Sequence, residues 1–197
     1  MALCLLVASP AVLADALWLE HTATGARAHM GQTLQRAPTL PPLLAPRAFL
    51  PDGKDLPLAL QGAHVDVALD GTAADLRLNA SQVTGPAGLT HYQARLGRQD
   101  TRAVNDLELV PTTPGGNTFK LVWKGQAVAA AQVNVDTSAG WHRTLIPAAD
   151  GTVQLETPFP GLYVLEVSAK VNGSVTVDGK KYNDVRHTAT LSFEVPR

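Results

Sequence analysis

Six histidines are the residues of this chain with the greatest potential to bind a metal ion. No two of them follow an H-x-H or H-x-x-x-H spacing, so the fold has to assemble any ligand set. Neutral imidazole is a good ligand for nickel, copper and cobalt, so a divalent transition metal is the first ligand to consider. The six residues are His21, His29, His64, His91, His142 and His187.

Two of these histidines lie in segments with the alternation of a β-strand. His91 occurs in GLTHYQARLG, where it shares one face with Gln93 and Arg95, and His187 begins HTATLSFEV. Each is a candidate ligand, and the alternative is an imidazole that only forms a hydrogen bond at a sheet edge. His29 precedes a methionine, and an imidazole beside a thioether suits copper or nickel. The alternative for His29 is a solvated loop position.

The remaining composition points away from several other functions. A net charge of −1 with dispersed Lys and Arg predicts no nucleic-acid partner. The sequence contains no G-x-S-x-G, H-E-x-x-H or glycine-rich phosphate loop, which predicts a protein that is not an enzyme. The single cysteine, Cys4, excludes a disulfide framework within the chain.

Short alternating segments separated by Gly, Pro and Asp-Gly turns predict an all-β fold of two packed sandwich-like units, Ig-like or transthyretin-like. One strand is expected over Gln126–Asp136, and an extended surface stretch is expected in the proline-rich segment 37–53. The predicted divisions are a signal peptide over 1–14, an N-terminal β domain over 15–110, a linker at 111–117 and an Ig-like sandwich over 118–197.

The first fourteen residues, MALCLLVASPAVLA, carry no charge and end in the small-residue pattern of a signal-peptidase site. They are too short to span a bilayer, and no transmembrane segment is expected in the mature chain. The missing basic residue predicts that the true start lies upstream. We expect cleavage before Asp15 and export to the periplasm.

The chain resembles a family of bacterial periplasmic domains of unknown function that is associated with nickel or cobalt uptake. The resemblance lies in five segments and covers nearly the whole mature chain. Its C-terminal half also resembles transthyretin-like and carboxypeptidase-regulatory sandwiches. The five segments are ALWLE, HYQARLG, NTFKLVWKGQAVAAAQV, DGTVQLETPFPGLYVLEV and KYNDVRHTATLSFEV.

The resemblance implies a non-enzymatic accessory protein of transition-metal uptake that delivers its metal to a membrane transporter. Family members begin the mature chain with a histidine, where this chain has Asp15, whose carboxylate is a harder donor. The expected ligands are His91 and His187, with His21, His29 and Asp15 as further candidates. Two alternatives remain open. One is a metal-free docking module that serves an outer-membrane receptor or a redox assembly through Trp18, Trp141 and the proline-rich segment. The other is a carbohydrate-binding sandwich.

Overall fold

Alternating apolar residues and glycine turns give this protein a fold built only from β-strands. The computed structural model describes residues 15–69, 75–129 and 132–197, and the predicted signal peptide at 1–14 lies outside them. The described residues contain no helix, which confirms the predicted all-β class, and thus no helix that is long and apolar enough to cross a membrane. Their strands, in chain order, are β1 (Ala16–Thr22), β2 (Gly25–Gln32), β3 (Gln35–Arg36), β4 (Leu44–Phe49), β5 (Asp55–Leu56), β6 (Leu58–Leu60), β7 (Val65–Ala68), β8 (Leu76–Val83), β9 (Gly88–Leu96), β10 (Leu107–Pro111), β11 (Thr118–Trp123), β12 (Gln126–Val128), β13 (Val133–Thr137), β14 (His142–Leu145), β15 (Thr152–Gln154), β16 (Gly161–Val171), β17 (Val175–Val177), β18 (Lys180–Tyr182) and β19 (Asp184–Val195).

These strands form three larger sheets and one separate hairpin. Sheet A has the order β1-β2-β7-β6, with β3 paired to β2. Sheet B has eight strands in the order β14-β13-β16-β19-β9-β8-β4-β5. Sheet C has the order β10-β11-β12, with β15 also paired to β11, and β17 pairs with β18.

Sheet B forms the middle layer, because its two faces carry different cores. Tyr92, Ala94 and Leu96 of β9 pack with apolar residues of sheet A. Ala189 and Leu191 of β19 instead pack with residues of sheet C. In the parallel pairing of β9 with β19, Ala189 is opposite Gln93, so it points away from the face that holds Tyr92 and Ala94. Sheets A and C therefore cover opposite faces of sheet B.

The segment 111–117, predicted as a linker, connects two strands of one hairpin. β10 ends at Pro111 and β11 begins at Thr118. Sheet B takes four strands from before this hairpin and four from after it. The two predicted units therefore share one sheet, while each half of the chain has its own core. Leu107 and Leu109, which precede the predicted boundary, belong to the C-terminal core.

Two sequence segments form strands differently from the prediction. The single strand expected over Gln126–Asp136 is wrong, because β12 pairs in sheet C while β13 pairs in sheet B. Passage of the chain from one sheet to another is a common way to form a corner of a β-sandwich. The proline-rich segment 37–53, predicted as an extended surface stretch, contains β4. Pro46 falls within a register shift of β4, where its missing N–H removes no ladder hydrogen bond.

Candidate functional site

The structure brings His91 and His187 together on the face of sheet B that sheet C covers. β9 and β19 run parallel, and their register places His187 directly opposite His91. The two ring centroids are 4.7 Å apart. This separation matches the spacing of about 4.7–4.9 Å between neighbouring strands, as expected for side chains at directly opposite positions.

Each of the two imidazoles is held by a hydrogen bond at Nδ1. Gln93 Oε1 lies 3.2 Å from His187 Nδ1, and since an amide oxygen only accepts, His187 carries its proton on Nδ1. Ser81 Oγ lies 2.8 Å from His91 Nδ1 and can either donate or accept. Neither Nε2 atom has a hydrogen-bond partner within the described residues, and neither is fully buried. With its proton on Nδ1, His187 has its lone pair on Nε2, although the residue as a whole is only 7% exposed.

The two imidazoles line a cavity of about 370 Å³ between β8, β9, β19 and the β11–β12 turn. Trp123 of β11 meets the His187 ring edge-on, with centroids 4.8 Å apart. Lys124 and Asp106 contribute the charged groups of the lining, and Asn79, Ser81 and Gln93 contribute polar ones. The Lys124 N–H donates to the Asp106 carbonyl over 2.6 Å, which joins the turn to the start of β10.

Burial keeps both imidazoles neutral at neutral pH. The pKa of His187 is lowered to about 4, mainly by desolvation; the neighbouring His91 also lowers it, Asp106 raises it, and Lys124 lowers it by a smaller amount. Desolvation also lowers the pKa of His91, and Asp106 opposes that effect. Neutral imidazole is the form that binds metal ions.

Two unusual backbone conformations border this cavity. Ala45 has a φ of 46° and lies within the register shift of β4, beside the strand that carries Ser81. Lys124 and Gly125 have φ values of 47° and 79° and form the two-residue turn between β11 and β12. Non-glycine residues with positive φ and β-bulges both occur often beside functional sites.

His29 occupies a different site, on the face of sheet A that bears Trp18. The His29 ring is buried, and its Nε2 lies 2.7 Å from Glu20 Oε1. Its centroid is 6.1 Å from that of His64. Two rings that share one ion through bonds of about 2.1 Å have centroids at most about 6.4 Å apart. The His29–His64 separation fits only a nearly linear bridge, whereas His91 and His187 lie well within reach.

The other two candidate ligands, His21 and Asp15, also lie away from the His91–His187 pair. His21 is exposed on β1 and lines a groove with Glu20 and Glu194. Asp15 is exposed just before β1, in the sheet on the opposite face of sheet B. The structure therefore brings together two of the five residues proposed from sequence. Within the described ranges, no group of three or more His, Cys, Asp or Glu side chains could hold a metal ion.

The sequence interpretation missed a buried ionic cluster on the same face of β9. Arg77 and Arg95 are fully buried, and Glu108 Oε1 accepts from Arg77 Nε at 2.8 Å and from Arg95 Nη1 at 3.1 Å. Arg95 also donates to the Asp75 carboxylate. The alternation that placed Arg95 beside His91 was the available signal, but it gave no indication of burial.

The aromatic residues bear on the two alternative functions. Trp18 is fully buried, so it cannot provide the contact surface that the docking alternative assigned to it. Trp141 packs against Phe159 and Tyr163 and is partly buried. All three tryptophans and all three tyrosines lie within the described ranges, and none of them is exposed.

No protein-family model matches this chain, and no curated protein is significantly similar to it. From its structure alone, the protein is a layered all-β protein in which two histidines, one buried and one partly buried, lie side by side. The resemblance to a family associated with nickel or cobalt uptake stays a prediction.

Proposed function

We propose that this protein is a periplasmic, non-enzymatic binding component of transition-metal uptake, which takes up a nickel-type or cobalt-type ion through His91 and His187. The observation that carries the proposal is the geometry of this pair. The two rings lie 4.7 Å apart with hydrogen bonds at Nδ1, and both Nε2 atoms are without a partner among the described residues. Metal-binding histidines typically bond their second ring nitrogen in this way, which fixes the ring for the ion.

The surroundings of the pair are also compatible with a divalent cation. Asp106 lines the same cavity and offers a carboxylate that balances part of the ion's charge. The lowered pKa values of both histidines keep protons from competing with the metal at neutral pH. A site with few protein ligands suits a carrier, since the ion has to leave it for a membrane transporter.

Calorimetric titration of Ni²⁺, Co²⁺, Cu²⁺ and Zn²⁺ into the purified protein at pH 7.5 tests the proposal. We expect one ion per chain for at least one of the four metals. Replacing His187 by Asn removes a ligand and keeps a donor near the position of Nδ1–H. The loss of affinity is expected to exceed the about 10- to 100-fold change that follows removal of a ligand's hydrogen-bond partner.

His142 provides the matched control. It is exposed on β14, where its Nδ1 lies 2.8 Å from Asp136 Oδ1. His142→Asn is expected to leave metal affinity unchanged. Equal losses in His142→Asn and His187→Asn, or no binding of any of the four ions, would contradict the proposal. The second outcome would favour the metal-free docking module.

A further inference from the structure

The histidine pair leaves most of a metal ion's coordination positions unfilled. Two imidazoles supply two ligands, whereas nickel and copper take four to six, and octahedral ions take six. The structure offers no group of three or more ionisable donors for one ion within the residues that it describes. Positions on the ion that the lining of the cavity does not fill are left to water or to a molecule that arrives with the ion.

The size of the cavity favours a molecule over water alone. Its volume of about 370 Å³ compares with about 30 Å³ for one water molecule in the liquid. Pockets for small organic ligands begin at about 300 Å³. The space beside His91 and His187 is therefore large enough for an ion together with a small organic chelator.

The charge at the cavity rim indicates the chemistry of that chelator. The Lys124 ammonium lies 5.3 Å from the centroid of the Trp123 ring, which itself contacts His187 edge-on. Lys124 lies in the β11–β12 turn and lines the cavity. The Lys124 ammonium attracts a carboxylate of the chelator, while Asp106, which lines the same cavity, attracts the metal ion that the chelator holds.

We propose that the cargo is a chelate, in which a small carboxylate-bearing molecule holds the divalent metal, His91 and His187 fill two positions that it leaves open, and Lys124 pairs with one of its carboxylates. This inference rests on the proposed function of the histidine pair. It adds the class of the cargo and gives Lys124 a role in selecting it.

The chelate of Ni²⁺ with nitrilotriacetate is a suitable probe, because nitrilotriacetate has four donor atoms and leaves two positions on an octahedral ion. We expect native mass spectrometry to show a complex of one protein, one nickel and one nitrilotriacetate. Its formation should require both His91 and His187, each tested as the Asn variant. A chelator that fills all six positions, such as ethylenediaminetetraacetate, should give no complex.

Lys124→Gln tests the carboxylate pairing. Since Lys124 is exposed, its loss is expected to weaken the nitrilotriacetate complex by about 2- to 5-fold at low ionic strength. Binding of nickel alone should be unchanged or slightly tighter, because a repelling charge is removed. Lys54→Gln is the matched control, as Lys54 is an exposed lysine in the turn before β5, and it should affect neither titration.

The results distinguish a failure of the chelate inference from a failure of the proposed metal-binding function. Binding of nickel alone with no ternary complex would overturn the chelate inference and leave the metal-binding function standing. Equal weakening of both forms by Lys124→Gln would overturn it as well. If neither nickel nor its nitrilotriacetate complex binds, the proposed function falls together with the inference.

Discussion

Two polar clusters lie along the same face of β9, and they differ in how completely their groups are paired. At one end, Arg95 joins Arg77, Asp75 and Glu108 in a cluster that is almost fully buried. Among the donors of its two arginines, only Arg77 Nη1 is buried without a partner in the described residues. At the other end, His91 borders an open cavity. We call the arginine cluster the closed cluster, because it is buried, and the His91–His187 pair the open cluster, because it borders the cavity.

This difference separates a structural role from the binding role that we propose. Buried charges require partners, and the arginine cluster uses its carboxylates to join β8, β9 and the segment before β10. Its unpaired donor, Arg77 Nη1, is buried and therefore not open to a ligand that enters from solvent. The histidine pair has its Nδ1 atoms bonded and its Nε2 atoms available, as a binding site requires.

The largest effect is expected from breaking the closed cluster with Glu108→Gln. This change removes the charge that faces both Arg77 and Arg95, each of which is fully buried. Removing one partner of a buried ion pair costs about 3–5 kcal/mol. Asp75 still pairs with Arg95 and Asp100 with Arg77, so we expect a loss near the lower end of this range. Urea denaturation followed by fluorescence or circular dichroism measures the loss in free energy of unfolding.

Asp55→Asn is the matched control for this prediction. Asp55 pairs with Arg47 at 2.7 Å, but both side chains are more than half exposed. Exposed pairs contribute about 0–1 kcal/mol, so the expected loss is small. If Glu108→Gln lowered the free energy of unfolding by a similarly small amount, the buried cluster would not have the stabilising role that we assign to it.

The second effect comes from the pH dependence of the open cluster. Burial lowers the pKa of His187 to about 4 in the folded protein, from an ordinary value of 6.5. The unfolded chain therefore takes up this proton first, and stability falls as the pH decreases from about 6.5 towards 4. At 1.36 kcal/mol per pKa unit, the full loss is about 3 kcal/mol.

His187→Asn should remove this part of the pH dependence. The free energy of unfolding of the wild-type protein is expected to fall more between pH 7.5 and 4.5 than that of the variant, by most of the about 3 kcal/mol. Burial also lowers the pKa of His29, whose contribution stays in both proteins. His142→Asn should keep the wild-type dependence. Parallel curves for the wild type and His187→Asn would contradict the buried, neutral state of His187.

The sequence predicted the class of fold and the strands that carry this site. Alternation in GLTHYQARLG and HTATLSFEV located β9 and β19, and Asp178-Gly179 predicted the turn between β17 and β18, where both residues have positive φ. These features are local, so a single sequence can reveal them.

The features that the sequence could not predict all depend on pairing between distant strands. The parallel register of His91 with His187 joins residues 96 positions apart, and the alternation of each strand is compatible with many partners. Likewise, a strand with His, Gln and Arg on one face is typical of a solvated surface. Here Asp75 and Glu108, from other segments, allow that face to be buried.

Gln93 lies between the two clusters on β9, and replacing it by Leu should weaken the fold and the site together. Gln93 Oε1 accepts from the Leu107 N–H at 3.2 Å and from His187 Nδ1 at 3.2 Å. Leucine has a similar volume but leaves both donors unpaired in a buried position, at a cost of about 1–3 kcal/mol. It also releases His187 from the orientation that presents Nε2, so nickel affinity should fall by about 10- to 100-fold.

Urea denaturation and nickel titration measure these two effects of Gln93→Leu. Gln126→Leu, at an exposed position of β12, is the control, and its free energy of unfolding should stay within about 0.5 kcal/mol of wild type. Loss of stability with unchanged nickel affinity would mean that Gln93 belongs only to the closed cluster, and that the His187 ring is held by other contacts.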